Sequence, residues 1–296
     1  MWRSLCTRST TLFAVVLFLL APAAVALGQE ASGDDAKTKK VGIWFPSSDF
    51  YPRYIADPLR PQNALTIQWL SDTEIPETGA WRFGLRLGGS FGIRRWHPED
   101  DPSVGWQLSF EGGFAGQFDI TWSWDNNGWD GFYGLYLSTM ISPELGFRVG
   151  TQHNSSHIGD EYSERVGRDR IHYTREEAVI GVAWTFRPRT TFYSELGWGN
   201  GIRGSMTFRL ESGVQFVSEQ RYWKGRASHF AAVDIRTYEE TDWSSRLTIQ
   251  AGLWIPAGGR SSVHRLAFEY GTGRSVMGQF LWEYETYFAL GWYYDF

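Results

Sequence analysis

The sequence predicts an all-β protein: a transmembrane, antiparallel, up-and-down β-barrel of about twelve strands preceded by an irregular N-terminal segment. Three observations predict it. From Trp81 onward, apolar and polar residues alternate with a period of two, as strands with unlike faces require. Aromatic residues make up 17% of the 296-residue chain, with 16 Trp, 14 Tyr and 20 Phe, a share that suits the two aromatic girdles of a membrane barrel. The first residues read as a secretory leader.

That leader is expected over residues 1–28. Arg3 and Arg8 flank Cys6, Leu12 to Leu20 is apolar, and small residues follow near Ala24-Val25-Ala26. The apolar run is too short, and its sequel too polar, for a retained membrane helix. Without the leader the chain has no cysteine, hence no disulfide and no thiol chemistry. Loss of Arg3 and Arg8 leaves 26 basic against 33 acidic side chains, which gives no basic footprint for nucleic acid. The mean hydropathy of −0.34 excludes a bundle of membrane helices. It permits a barrel, where only every second residue meets lipid.

Residues 29–63 form a separate segment. Gln29 to Lys40 is polar and charged and reads as flexible. Trp44 to Pro61 carries Pro46, Pro52, Pro58 and Pro61, which rule out a central strand. This stretch is expected to pack on the barrel wall or to plug the lumen. The barrel is expected over residues 64–296, with Ala64 to Leu70 as a weak extra strand.

In the first regular strand, Trp81, Phe83, Leu85, Leu87, Phe91 and Ile93 face lipid, and Arg82, Arg86, Ser90 and Arg94 face inward. Val104 to Phe110, Phe118 to Trp122, Phe132 to Ile141, Leu145 to Gln152 and His172 to Phe186 continue the pattern. Thr190 to Trp198, Met206 to Phe216, Ala231 to Tyr238, Leu247 to Ile255 and His264 to Tyr270 follow. Inward charges of both signs, such as Arg209 with Glu211 and Asp234 with Arg236, point to ion pairs across a bore that about twelve strands leave narrow. Gly112-Gly113, Ser142-Pro143, Arg187 to Arg189 and Ala257 to Ser261 read as tight turns. Arg95 to Ser103, Asn154 to Arg170, Glu239 to Asp242 and Thr272 to Leu281 read as longer loops, which barrels of this class carry outside the cell. Ser218 to Ser228 breaks the scheme as a long connection on the short-turn side.

The last strand, Glu283 to Phe296, sets Tyr284, Thr286, Phe288, Leu290, Trp292, Tyr294 and Phe296 on one face. It resembles the closing strand of bacterial outer-membrane barrels. That resemblance implies an outer-membrane location, membrane lipids as neighbours, and recognition of Phe296 by the barrel-assembly machinery.

One stretch looks chemical: Gln152 to Arg175, with His153, His157, His172, Ser155, Asp160, Glu161 and Glu164. His153 and Ser155 share the outward parity of Phe147 and Val149, so they lie on the outer wall near the rim. Their spacing puts the side chains about 7 Å apart along one strand face. An imidazole there can take the proton of the Ser155 hydroxyl, if a third group orients it. His172, Glu161 or Glu164 are the candidates for that group. A cation site is the other chemical reading: His157, Asp160 and Glu161 offer ligands, and carboxylates favour calcium. No zinc spacing is present. The plain alternative is a solvated rim loop, with Asn154-Ser155-Ser156 as turn residues.

His153-x-Ser155 resembles the His-x-Ser of outer-membrane phospholipase A and of the lipid A deacylases, and Tyr173-Thr174-Arg175 resembles a tripeptide of the phospholipase. The resemblance implies Ser155 as nucleophile and His153 as base of a lipid hydrolase. Over nearly the whole mature chain, FPSSDFYPRYIADPLRP, SSHIGDEY and RIHYTRE resemble a bacterial domain-of-unknown-function family, number 1207, of exported β-barrel proteins. That resemblance implies no activity. The leading expectation is an outer-membrane barrel with a structural, binding or narrow-channel role, and a lipid hydrolase is the alternative.

Overall fold

The computed structural model describes residues 39–202, 204–257 and 262–296. The predicted leader, Cys6, most of the polar stretch after it and part of the 257–261 turn lie outside them. Thirteen strands are described: β1 (Lys40–Trp44), β2 (Asn63–Thr73), β3 (Trp81–Pro98), β4 (Gly105–Asp119), β5 (Asp125–Met140), β6 (Leu145–Ile158), β7 (Tyr173–Arg187), β8 (Thr190–Asn200), β9 (Met206–Tyr222), β10 (Ala227–Tyr238), β11 (Ser245–Pro256), β12 (Val263–Arg274) and β13 (Tyr284–Asp295). A short helix, α1 (Asp160–Val166), lies between β6 and β7.

Strands β2 to β13 pair antiparallel in sequence order, and β13 pairs back on β2 from Tyr294↔Asn63 to Glu285↔Thr73. This closes a twelve-stranded barrel, so no barrel strand has a free edge. The alternation sets its two faces. Trp81, Leu87, Leu135, Ile180, Phe216 and Leu266 are exposed on the outer wall, and Leu290 is 70% exposed. The residues between them are buried and mostly polar or charged, among them Arg82, Arg148, Glu195, Arg209 and Glu269. That inversion of a soluble core is what a lipid-facing wall requires.

The structure corrects several sequence expectations. Gly112 and Gly113 are not a turn: they sit within β4, paired with Gly89 and Gly88 of β3. Cβ atoms there would strike neighbours, as at Gly113, where one would lie 2.7 Å from the Phe132 ring. The weak stretch near Leu65 is the full strand β2 that closes the barrel. Lys40–Trp44, within the segment expected to be irregular, forms β1 against the end of β3. The Arg95 to Ser103 connection is shortened by β3, and it lies at the end holding the termini. Ser218 to Ser228 is mostly strand, since β9 and β10 extend into it and leave only residues 223–226 as the turn. Arg94 does not face inward. The register shifts between Gly92 and Arg94, so Arg94 lies over the Trp44 ring at 4.1 Å, and Arg95 reaches buried Gln107 at 2.6 Å instead.

Residues 49–62 enter the bore as a plug. The prolines deny ladder hydrogen bonds, and the segment is held by side chains from around the wall. Ile55 N donates to Gln215 Oε1 at 2.9 Å. Arg60 reaches Glu195 at 2.9 Å and Glu111 at 3.1 Å, and Arg236 reaches Asp57 at 2.8 Å. Tyr54, Ile55, Ala56 and Asp57 are all buried. At the opposite end, Ile75, Ile158, Tyr162, Met277 and Phe280 pack into an apolar cap.

Candidate functional site

The outer-wall candidates sit on three adjacent strands. The register sets His153 of β6 between Tyr133 of β5 and Glu176 of β7. His153 Nδ1 donates to Glu176 Oε1 at 2.5 Å. Its ring lies on that of Tyr133, with centroids 4.4 Å apart and planes 17° from parallel. The side chains of His153 and Glu176 are 16% and 19% exposed, so the pair is shielded yet reachable. A carboxylate on Nδ1 fixes the imidazole tautomer and leaves Nε2 as the free proton acceptor.

Ser155 lies two residues along the same face. Its Oγ donates to Gly131 O at 3.5 Å, and among the described residues no hydrogen bond joins it to His153. The orienting group on His153 is therefore Glu176, a residue the sequence reading did not single out. His172 is exposed and precedes β7. It is four residues, about 13 Å of strand, from Glu176. Glu161 and Glu164 are exposed on α1.

The expected cation ligands are not gathered. His157 stacks on Trp129 at 4.1 Å and lies 3.5 Å from Arg170, while Asp160 and Glu161 occupy the exposed first turn of α1. The second serine, Ser156, points inward. It is buried, donates to Asp130, and accepts from Gln279 N at 2.9 Å. That bond ties the β12–β13 connection over the bore.

Inside the bore, five arginines and their carboxylates form one network. Arg209 bridges Glu177, Glu195 and Glu211 at 2.8, 2.8 and 2.5 Å. Arg148 reaches Glu111 and Glu195, and Arg175 reaches Glu177 and Glu240. Arg236 Nη2 donates to both Asp57 Oδ1 and Glu211 Oε2, at 2.8 and 2.7 Å. Tyr193 Oη donates to Asp234 Oδ2 at 2.7 Å. Ligand oxygens of Asp57, Glu211 and Asp234 lie within 4.8 Å of one another. The inward parity of Glu211 and Asp234 was readable from β9 and β10, but the approach of Asp57 depends on the path of the plug.

The chain belongs to the DUF1207 family, described as proteins of unknown function, whose model matches residues 32–296. No curated protein sequence matches it. Solved structures similar to it include three outer-membrane-type barrels. LpxR from Salmonella typhimurium is 12% identical, with 79% of this chain and 100% of that one covered and a TM-score of 0.38. The CymD monoaromatic hydrocarbon channel is 9% identical, with 79% and 87% covered and a TM-score of 0.39. The β domain of the Bordetella autotransporter BrkA is 14% identical, with 80% and 99% covered and a TM-score of 0.38.

Proposed function

We propose that this protein is a closed, non-conducting outer-membrane barrel that acts through its wall and rim, in contact with membrane lipids, and passes no solute through its lumen. The observation that carries this reading is the plug. Asp57 and Arg60 are paired with wall charges from β4, β8 and β10. Removing one partner of a buried, hydrogen-bonded ion pair costs about 3–5 kcal/mol, so such pairs resist displacement. In the reading adopted, the leader exports the chain and the short-turn end faces the periplasm. Phe296, 50% exposed at the end of the closing strand, is then presented to the assembly machinery. The test is conductance in planar bilayers. The wild-type protein is expected to show no steps, and a variant lacking residues 45–62 is expected to show them. Reproducible steps from the wild type would sink the proposal.

A second reading, a lipid hydrolase, is favoured by the His153–Glu176 pair beside Ser155 on the wall. There Ser155 is the nucleophile, His153 the base and Glu176 its orienting group, at the depth where an acyl ester meets the headgroup region. Release of fatty acid from phospholipid or lipid A, with and without calcium, decides it. Activity lost in both Ser155→Ala and His153→Ala makes the protein an enzyme. Absence of release by a folded barrel leaves the rim to lipid contact.

A further inference from the structure

We propose that Arg236 and Arg246 bind one small inorganic anion, chloride by type, in the cavity between the tip of the plug and the β12–β13 connection. Leu59 of the plug and Leu281 of that connection both line it. Its volume of about 20 Å³ suits one or two bodies the size of a water molecule, so a monatomic ion fits and an organic anion does not.

The register brings the two arginines together. Arg236 of β10 is paired directly with Arg246 of β11, and both are buried, 5% and 6% exposed. Residues so paired have Cβ atoms about 5 Å apart, and like charges there repel. A guanidinium does not give up its proton in a protein. Unlike crowded carboxylates, this pair cannot relieve itself by titration.

Carboxylates serve only one of the two well. Arg236 Nη2 donates to Asp57 and Glu211 at 2.8 and 2.7 Å. Arg246 reaches a single carboxylate, Glu285, at 3.6 Å, and Glu285 lies closer to Arg82, at 2.7 Å. Arg274, which also lines the cavity, is in no ion pair among the described residues; its Nη1 donates to the Trp282 carbonyl. Against the guanidinium groups of Arg236, Arg246 and Arg274, the lining holds one carboxylate, Asp234, and Asp234 Oδ2 accepts from Tyr193.

Apart from charge, donors are left over. Arg236 Nε and Nη1, Arg246 Nε and Nη2, and Arg274 Nε are buried without a hydrogen-bond partner among the described residues. Arg246 Nη1 is taken by the Arg274 carbonyl at 2.6 Å, so the unpaired nitrogens belong to the rest of each fork. A buried charged donor left unpaired is costly. A chloride accepts several N–H donors at once in charge-assisted bonds and supplies the missing negative charge. Water supplies only the acceptors. The hydroxyls of Tyr238 and Ser244 on the same lining offer further donors to the ion.

The competing occupant is water alone, and the experiment separates the two. The full mature chain, refolded in detergent, is placed in sodium gluconate and titrated with sodium chloride at constant ionic strength, which holds general screening fixed. The temperature of the heat-modifiability transition is read. The wild type is expected to gain stability with chloride and to level off as the site fills. Arg246→Met nearly keeps the length of the side chain and is expected to abolish the gain. Arg189→Gln, in an exposed pair with Glu219 at the β7–β8 turn, is expected to keep it. Should Arg246→Met fail to fold, crystals of the wild type soaked in sodium bromide decide, with an anomalous peak expected within hydrogen-bonding reach of Arg236 and Arg246. A folded wild type whose transition ignores chloride overturns the proposal. So does a gain that survives in folded Arg246→Met, or a cavity that holds water only in the bromide-soaked crystals.

Discussion

Tyr54 of the plug lies flat against Tyr193 of β8, with ring centroids 3.7 Å apart and planes 5° from parallel. Tyr193 in turn holds Asp234, so one stack joins the plug to a charged part of the wall. Tyr54→Ala removes a buried ring and is expected to cost about 3–5 kcal/mol, read as a lower urea midpoint in vesicles. Tyr54→Phe keeps the stack and loses only the contact with the Tyr51 hydroxyl at 3.1 Å, so about 1 kcal/mol is expected.

Gly213 makes room for that stack. A Cβ there would lie 2.3 Å from Tyr193 Cζ and 2.5 Å from Val233 O. One of these is backbone in a paired strand, which cannot give way cheaply. Gly213→Ala is expected to displace Tyr193 and destabilise by about 1–3 kcal/mol, the usual cost of overpacking. Double mutation with Tyr54→Ala is expected to be less than additive, because both changes act on one contact.

Acid tests the plug in another way. Burial alone would raise the Asp57 carboxyl, but Arg236 and Arg60 outweigh it and hold the group below the ordinary aspartate range. A carboxyl depressed in the folded state stabilises above its unfolded pKa, about 3.9, and that contribution is lost as pH falls through the folded value. The contribution of Asp57 is therefore expected to persist through mildly acidic conditions and to fade only below about pH 4. Plug accessibility to limited proteolysis, compared between wild type and Asp57→Asn, checks this. A wild-type contribution already lost at pH 6 would contradict it.

Glu176→Gln keeps shape and a hydrogen-bond acceptor for His153. Its cost to stability is expected to be about 1 kcal/mol or less, as for other neutral hydrogen-bond exchanges. Its effect on chemistry is larger: any fatty-acid release by the wild type is expected to fall by about 10²- to 10⁴-fold, the range of general-base catalysis. Parallel melting and release assays on one preparation separate the two effects.

The strand pattern and the inward pairing of charges were legible because a period of two fixes facing directly. The expected count of about twelve and the observed twelve arise from different strands. Reading Gly112-Gly113 as a turn split β4, and treating Leu65 as marginal left out β2. A glycine that turns the chain and one that lets rings pack close both lack a side chain, so sequence does not separate them. The outward facing of His153 and Ser155 followed from parity. The partner of His153 did not, because Glu176 is 23 residues away and is brought there by register alone. Arg236 and Asp57 are 179 residues apart, and only the course of the plug joins them.

Arg53 donates to the backbone oxygen of Phe296, and Asn63 bonds the carbonyls of Gly88 and Tyr294 at 3.1 Å each. The plug thus touches the last residue of the chain, along with β4, β8, β9, β10 and β12. It precedes all of these strands in sequence but has its full set of partners only when the last has been laid down. Contacts of such long sequence separation form late and slowly. Seating of residues 53–62 therefore works as a completion check on assembly: a wall missing any one of those strands leaves buried polar groups of the plug unmatched, and a segment made before every barrel strand is among the last to come to rest.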